Sequence, residues 1–236
     1  MVIAGLQKMT LLDYPGKVAC TVFLQGCNFR CPFCHNSDLL GKDGPEPIAE
    51  DSLLAFLKKR VGLLDAVCVT GGEPTLHKDL PELLKKIKEL GYLVKLDTNG
   101  GKPTVLKELV EAGLVDYVAM DIKNCPERYG ETAGVPNMDL GNIEESMRYL
   151  LGGAVDFEFR TTVADELHGQ AEFEAIGQWL TALSPDKKCE KFFIQPYVDR
   201  DSVLMSGLHS PTKEKLQKMA ESLKPYVQAV SIRALD

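Results

Sequence analysis

No uncharged apolar stretch in this chain approaches the roughly 20 residues that a membrane-spanning helix needs. Val18–Leu24 is apolar but short, and Gln25 and Gly26 end it. The first thirteen residues carry Lys8 and lack the apolar core of a secretory signal. A basic excess is missing too. Lys plus Arg is 27 against 34 Asp plus Glu, a formal net charge of -7, which disfavours a broad nucleic-acid-binding surface. No low-complexity tract or long linker interrupts the 236 residues. Seven cysteines are too few for a disulfide scaffold of this length, and their number is odd. A reducing cytoplasm is the expected compartment, with no membrane or nucleic-acid partner. The thiols then need another explanation.

What is present is an alternation of apolar, β-branched runs with amphipathic stretches. Strands are expected at Val18–Leu24, Ala66–Thr70, Tyr92–Asp97, Tyr117–Ile122, Phe157–Thr162, Phe192–Tyr197 and Val227–Ile232. Helices are expected at Ser52–Lys59 with Asp51 as its cap, and at Leu80–Leu90 and Pro103–Ala112, each stopped by a glycine. Asn142–Leu151, Glu172–Leu183 and Thr212–Leu223 complete the set. Strand alternating with helix means a parallel sheet with right-handed crossovers. A closed eight-unit barrel takes about 250 residues, so a partial, open βα barrel of about six units fits this length better. The expectation is one domain over 1–236, with a lead-in at 1–17 and a long loop at 25–50. The lead-in carries a Tyr14-Pro15-Gly16 turn and reads as a loop or hairpin. In such folds, chemistry sits at the C-terminal ends of the strands.

Directly after the first expected strand comes Gly26-Cys27-Asn28-Phe29-Arg30-Cys31-Pro32-Phe33-Cys34-His35-Asn36. Three thiols on one tight loop favour zinc or an iron–sulfur cluster. Structural zinc is closed by four ligands, and His35 directly follows Cys34, so the two rarely turn onto one metal. A four-iron cluster on three cysteines, its fourth iron open to a substrate, is the catalytic alternative. A small zinc loop and a redox pair of Cys31 and Cys34 are the plainer readings, and neither accounts for Cys27.

Cys-x3-Cys-x2-Cys with an aromatic residue before the third Cys resembles the radical S-adenosylmethionine superfamily. That resemblance implies a partial α/β barrel and a [4Fe-4S] cluster held by Cys27, Cys31 and Cys34. It also implies that S-adenosylmethionine bound at the open iron is split to a 5′-deoxyadenosyl radical. Phe33 and His35 on the loop would border the cofactor.

Other motifs fall after other expected strands. Gly71-Gly72-Glu73 follows the second. Alone it is a common turn, but the resemblance assigns it to the methionine amino group. Asp97-Thr98-Asn99-Gly100 follows the third and is a turn signal by itself. Asp121 and Lys123 lie two apart after the fourth, so they can face one side; an exposed ion pair is the plainer reading. Both motifs resemble the glycyl-radical-enzyme activases of the superfamily. The resemblance places Asp97 and Thr98 at a monovalent cation and Asp121 and Lys123 on the cofactor. Arg160 stands in an apolar strand, where an Arg is more often functional than accidental, and is a candidate cofactor contact; an ion pair with Glu158 is the plainer reading. Where related activases often carry a His after Pro-Tyr, this chain has Val198, so Gln195 or Tyr197 becomes the candidate contact to the adenosyl group.

With the lead-in Gly5–Lys17, the cysteine loop closely resembles proteins that activate anaerobic ribonucleoside-triphosphate reductase. The implied partners are a glycyl radical enzyme and a flavodoxin or ferredoxin as electron donor. Activation of pyruvate formate-lyase or another glycyl radical enzyme is an alternative. So is radical chemistry on a small molecule such as a deazapurine precursor.

Overall fold

The computed structural model describes residues 1–41, 44–200 and 202–233. The chain divides into two compact units. The first comprises Met1–Asn28, Asn36–Thr98 and Lys102–Ala119, the second Phe29–His35, Asn99–Gly101 and Met120–Asp236.

The first unit begins with β1 (Ile3–Thr10), antiparallel to β2 (Ala19–Leu24). β2 pairs parallel with β3 (Ala66–Gly71), and β3 with β4 (Leu93–Thr98). The helices α1 (Glu50–Lys58), α2 (Leu80–Glu89) and α3 (Pro103–Glu111) lie between or after these strands in the chain. Val22, Leu24, Val67, Val69, Val94 and Leu96 have no exposed surface. Parallel strands are covered on both faces and so read as near-continuous apolar runs. β5 (Tyr117–Asp121) spans the boundary between the units.

In the second unit, α4 (Tyr129–Ala133), α5 (Gly141–Leu151), β6 (Asp156–Val163), α6 (Gln170–Leu183), β7 (Cys189–Pro196), α7 (Lys213–Leu223) and β8 (Val227–Ile232) succeed one another. β6 to β8 pair parallel in chain order. The strand order of the sheet is β1 to β8, an open, mostly parallel α/β sheet as the strand and helix pattern predicts.

Two expectations change. The lead-in is a full strand, so there are eight strands among the described residues where seven were expected. Two register shifts against β2 break its alternation, and with it the period-2 signal. The cap of α1 is Ala49, and Asp51 sits with Glu50 in the first turn. There both acids still meet the positive end of the helix dipole. Gly91 and Gly113 end α2 and α3 as expected, at φ of 88° and 66°. None of the described helices is long and apolar enough to cross a membrane.

Candidate functional site

β2 and β3 end side by side, Leu24 opposite Gly71. The segments leaving these two strands are hydrogen-bonded to each other. Gly72 N–H donates to Leu24 C=O and Glu73 N–H to Gly26 C=O, both at 2.8 Å. Asn36 Nδ2 donates to Gly71 C=O at 3.2 Å. The two glycines make this approach possible. A Cβ on Gly72 would stand 2.0 Å from the Gly26 oxygen, and one on Gly71, at φ 116°, 2.3 Å from Leu24 N. The backbone entering Cys27 is thereby fixed by Gly71-Gly72-Glu73.

Glu73 is buried, at 1% exposure. Its Oε1 accepts from Thr75 N–H at 3.1 Å, Thr75 Oγ1 at 2.5 Å and Thr98 Oγ1 at 2.8 Å. Three donors on one oxygen lock the carboxylate in one orientation. Thr98, expected at a cation, donates to Glu73. Thr75 was not singled out by its motif. Asp97, expected beside Thr98, bonds to the ammonium of Lys95, which is buried in β4. Lys95 is a second residue that the motifs miss. Its signal was available: a charged residue in an apolar strand, two places before an Asp.

In the second unit, Asp121 stands between two cations. Arg160 Nε donates to Oδ1 at 2.5 Å and Lys123 Nζ to Oδ2 at 2.9 Å. Burial would raise the Asp121 carboxyl, but Arg160 and Lys123 outweigh it and hold it well below the usual carboxylate range. Burial likewise disfavours the Lys123 ammonium, yet Asp121 and the Cys31 thiol outweigh that and raise it. Arg160 therefore meets Asp121, while its neighbour Glu158 accepts from Arg233 Nη2 at 2.5 Å.

The rest of the cysteine loop is seated in this same unit. Arg30 N–H donates to Ala133 C=O at 2.9 Å, and the Cys31 sulfur lies 3.9 Å from that oxygen. Cys34 N–H closes a turn onto Cys31 C=O. Phe33 is buried with its ring 6.1 Å from His168. His168 is held by Lys123 C=O at 2.9 Å. The His35 ring lies 5.6 Å from Tyr197, and its buried Nε2 has no partner. Burial first, and Arg200 second, hold the His35 imidazole below its ordinary value. Gln195 lies half-buried near the end of β7.

Cys20, Cys31, Cys68, Cys125 and Cys189 are buried, while Cys27 and Cys34 are partly exposed. Thiolates are soft donors that suit zinc or an iron–sulfur cluster, and among the described residues no three His, Cys, Asp or Glu side chains close on one metal ion.

Residues 21–163 match the family described as the Radical SAM superfamily. A Methanocaldococcus jannaschii protein named as a glycyl-radical enzyme activating enzyme is 30% identical over 243 residues, covering 99% of this chain and 96% of its own. The pyruvate formate-lyase-activating enzyme of Clostridium pasteurianum is 33% identical over 127 residues, 52% of each chain. Among solved structures, Streptococcus suis SuiB bound to S-adenosylmethionine is similar with a TM-score of 0.68 at 13% identity. The match covers 91% of this chain but only 52% of SuiB, so the chain spans about half of that protein. This chain belongs to the radical SAM superfamily, enzymes that work with a [4Fe-4S] cluster and S-adenosylmethionine.

Proposed function

We propose that this enzyme activates a glycyl radical enzyme, with anaerobic ribonucleoside-triphosphate reductase as its partner. The observation that carries the reading is the stapling of the Cys27 entry to Gly71-Gly72-Glu73. It puts a thiol-bearing loop and a preset acid on adjacent strand ends. A relative of nearly equal length named as a glycyl-radical enzyme activating enzyme supports it, as does a relative that activates pyruvate formate-lyase. The reductase as partner rests on the lead-in and the Cys34-His35-Asn36 ending of the loop.

In this reading Cys27, Cys31 and Cys34 hold the cluster. When bound and reduced by a flavodoxin or ferredoxin, it supplies the electron that splits S-adenosylmethionine into methionine and a radical able to take hydrogen from glycine. The chain's own residues bind and orient. Glu73, held by Thr75 and Thr98, accepts from the methionine ammonium. Lys123, kept protonated by Asp121, offers a cation to the methionine carboxylate. Phe33, His35 and Gln195 border the adenosyl part. Burial of these groups limits water around a reactive species.

The deciding experiment is anaerobic. The chain is reconstituted with iron and sulfide and incubated with S-adenosylmethionine, a reductant and candidate partners. A glycyl radical signal by electron paramagnetic resonance on the reductase, absent with Cys31→Ala, is the expected result. Formation of 5′-deoxyadenosine with no radical on any glycyl radical enzyme would instead indicate a small-molecule substrate.

A further inference from the structure

The row Thr21, Cys68, Lys95 runs in register across β2, β3 and β4 of the first unit. Lys95 is 1% exposed, Cys68 not at all and Thr21 2%. One layer toward the strand starts lie Tyr14, Ala19, Ala66 and Tyr117, with Leu93 packed against them. That layer is apolar. A lysine is almost never fully buried unless paired. Residues two apart on a strand share a face, and the residue two along is Asp97, whose Oδ1 accepts from Lys95 Nζ. Burial above all raises the Cys68 thiol, with Lys95 opposing and Asp97 and Asp13 adding to the shift, and Asp13 also accepts from the Thr21 hydroxyl.

We infer that Lys95 is the resident cation of this site, its ammonium taking at Asp97 the place of a free monovalent ion. This rests on the reading that the chain binds S-adenosylmethionine, and it replaces the expectation of a monovalent cation at Asp97. A carboxylate whose charge is matched by a covalently attached ammonium attracts a second cation weakly. An ion close to both would also be repelled by the ammonium at short range and low dielectric. Unlike an ion, the ammonium cannot leave when the salt changes. Lys95 acts through Asp97 and is a positioning residue.

The test compares tetramethylammonium chloride, whose cation is too large for the site, with potassium chloride at equal ionic strength. For the reconstituted wild-type enzyme, 5′-deoxyadenosine formation is expected to agree within about twofold in the two salts. Lys95→Met is expected to fall roughly tenfold in tetramethylammonium and to recover in potassium, since its Asp97 then lacks the Lys95 ammonium. Lys95→Arg keeps the charge and stays salt-independent. Two measurements need no turnover. Equilibrium dialysis against rubidium should find none on the wild-type chain and one ion per Lys95→Met chain. The melting midpoint of Lys95→Met should rise in potassium relative to tetramethylammonium. A roughly tenfold potassium activation of wild type, one rubidium per wild-type chain, or a folded Lys95→Met indifferent to potassium would each overturn the inference. Should Lys95→Met not fold, the wild-type dialysis and salt comparison decide. If no salt gives 5′-deoxyadenosine, the S-adenosylmethionine reading fails, and the dialysis still judges Lys95 on its own.

Discussion

Asp121 holds two cations at once, and neither Lys123 nor Arg160 is well solvated, each side chain being 13% exposed. Removing the shared acid takes from both a carboxylate at hydrogen-bond distance. Asp121→Asn is expected to destabilise the cluster-free chain by about 2–3 kcal/mol, somewhat below the range for a fully buried pair because Asp121 keeps contact with water. Urea denaturation measures it, and a loss under about 0.5 kcal/mol would mean that solvent screens the group. His168 sets a pH limit in the same unit. Burial holds its imidazole below the ordinary value, and both ring nitrogens are engaged, by Ala164 and Lys123. The folded chain therefore resists a proton that the unfolded chain accepts below about pH 6.5. Stability is complete above that value and declines as the pH falls through it. The melting midpoint should drop between about pH 7 and pH 5 more steeply in wild type than in His168→Gln. Equal slopes would assign the acid sensitivity elsewhere. Such single-residue roles were only partly legible in the sequence. Glu73 could be read as an acceptor because it sits in a motif. The Thr98 hydroxyl that fixes it is 25 residues away, and Arg233, the partner of Glu158, is 75 residues away. Spacing along a chain carries no trace of such pairs.

Elements that depend on local signals were the legible ones. Gly91 and Gly113 stop their helices at positive φ. β1 was legible only as a loop or hairpin because its bulged register hides the alternation. α4 escaped because five residues are too few to show a helical period. The junction of β2 and β3 lies between these cases. Its glycines were visible, but the reason for them is contact with residues 24–26, which no short-range pattern reveals. That junction yields a contrast between two glycines. Gly113 has open space around its missing Cβ, so Gly113→Ala should cost only the left-handed backbone, about 1–2 kcal/mol, and leave iron uptake unchanged. Gly72→Ala pushes a methyl against the Gly26 backbone and must displace the entry to Cys27. We expect it to lower iron incorporated on reconstitution at least severalfold, with a melting midpoint close to that of Gly113→Ala. Iron measured against protein, beside the two melting curves, separates a local effect from a global one. Full iron in Gly72→Ala would detach the glycine pair from the cysteine loop.

For the chain as a whole, the seven cysteines are a probe of which parts are structure and which are site. Alkylation and disulfide exchange proceed through the thiolate, so burial protects twice, by blocking access and by raising the pKa. Burial pushes the Cys20 and Cys189 thiols up to about 12 and raises Cys68 and Cys125 as well. At pH 8 a thiol with a pKa near 12 is ionised in roughly one molecule in ten thousand. Cys27 and Cys34 are partly exposed on a loop, and Cys31, on the same loop, is 7% exposed. Anaerobic labelling of the cluster-free chain with a disulfide reagent should therefore proceed in stages. Cys27 and Cys34 react first, Cys31 comes next as the loop opens, and Cys20, Cys68, Cys125 and Cys189 react only on unfolding. Peptide mass spectrometry assigns each stage to its residue. Reconstitution with iron and sulfide should silence the loop cysteines together while leaving the unfolding-dependent four as they were. The same order before and after reconstitution, or protection of Cys27 without Cys31 and Cys34, would dissolve the grouping of the three into one centre.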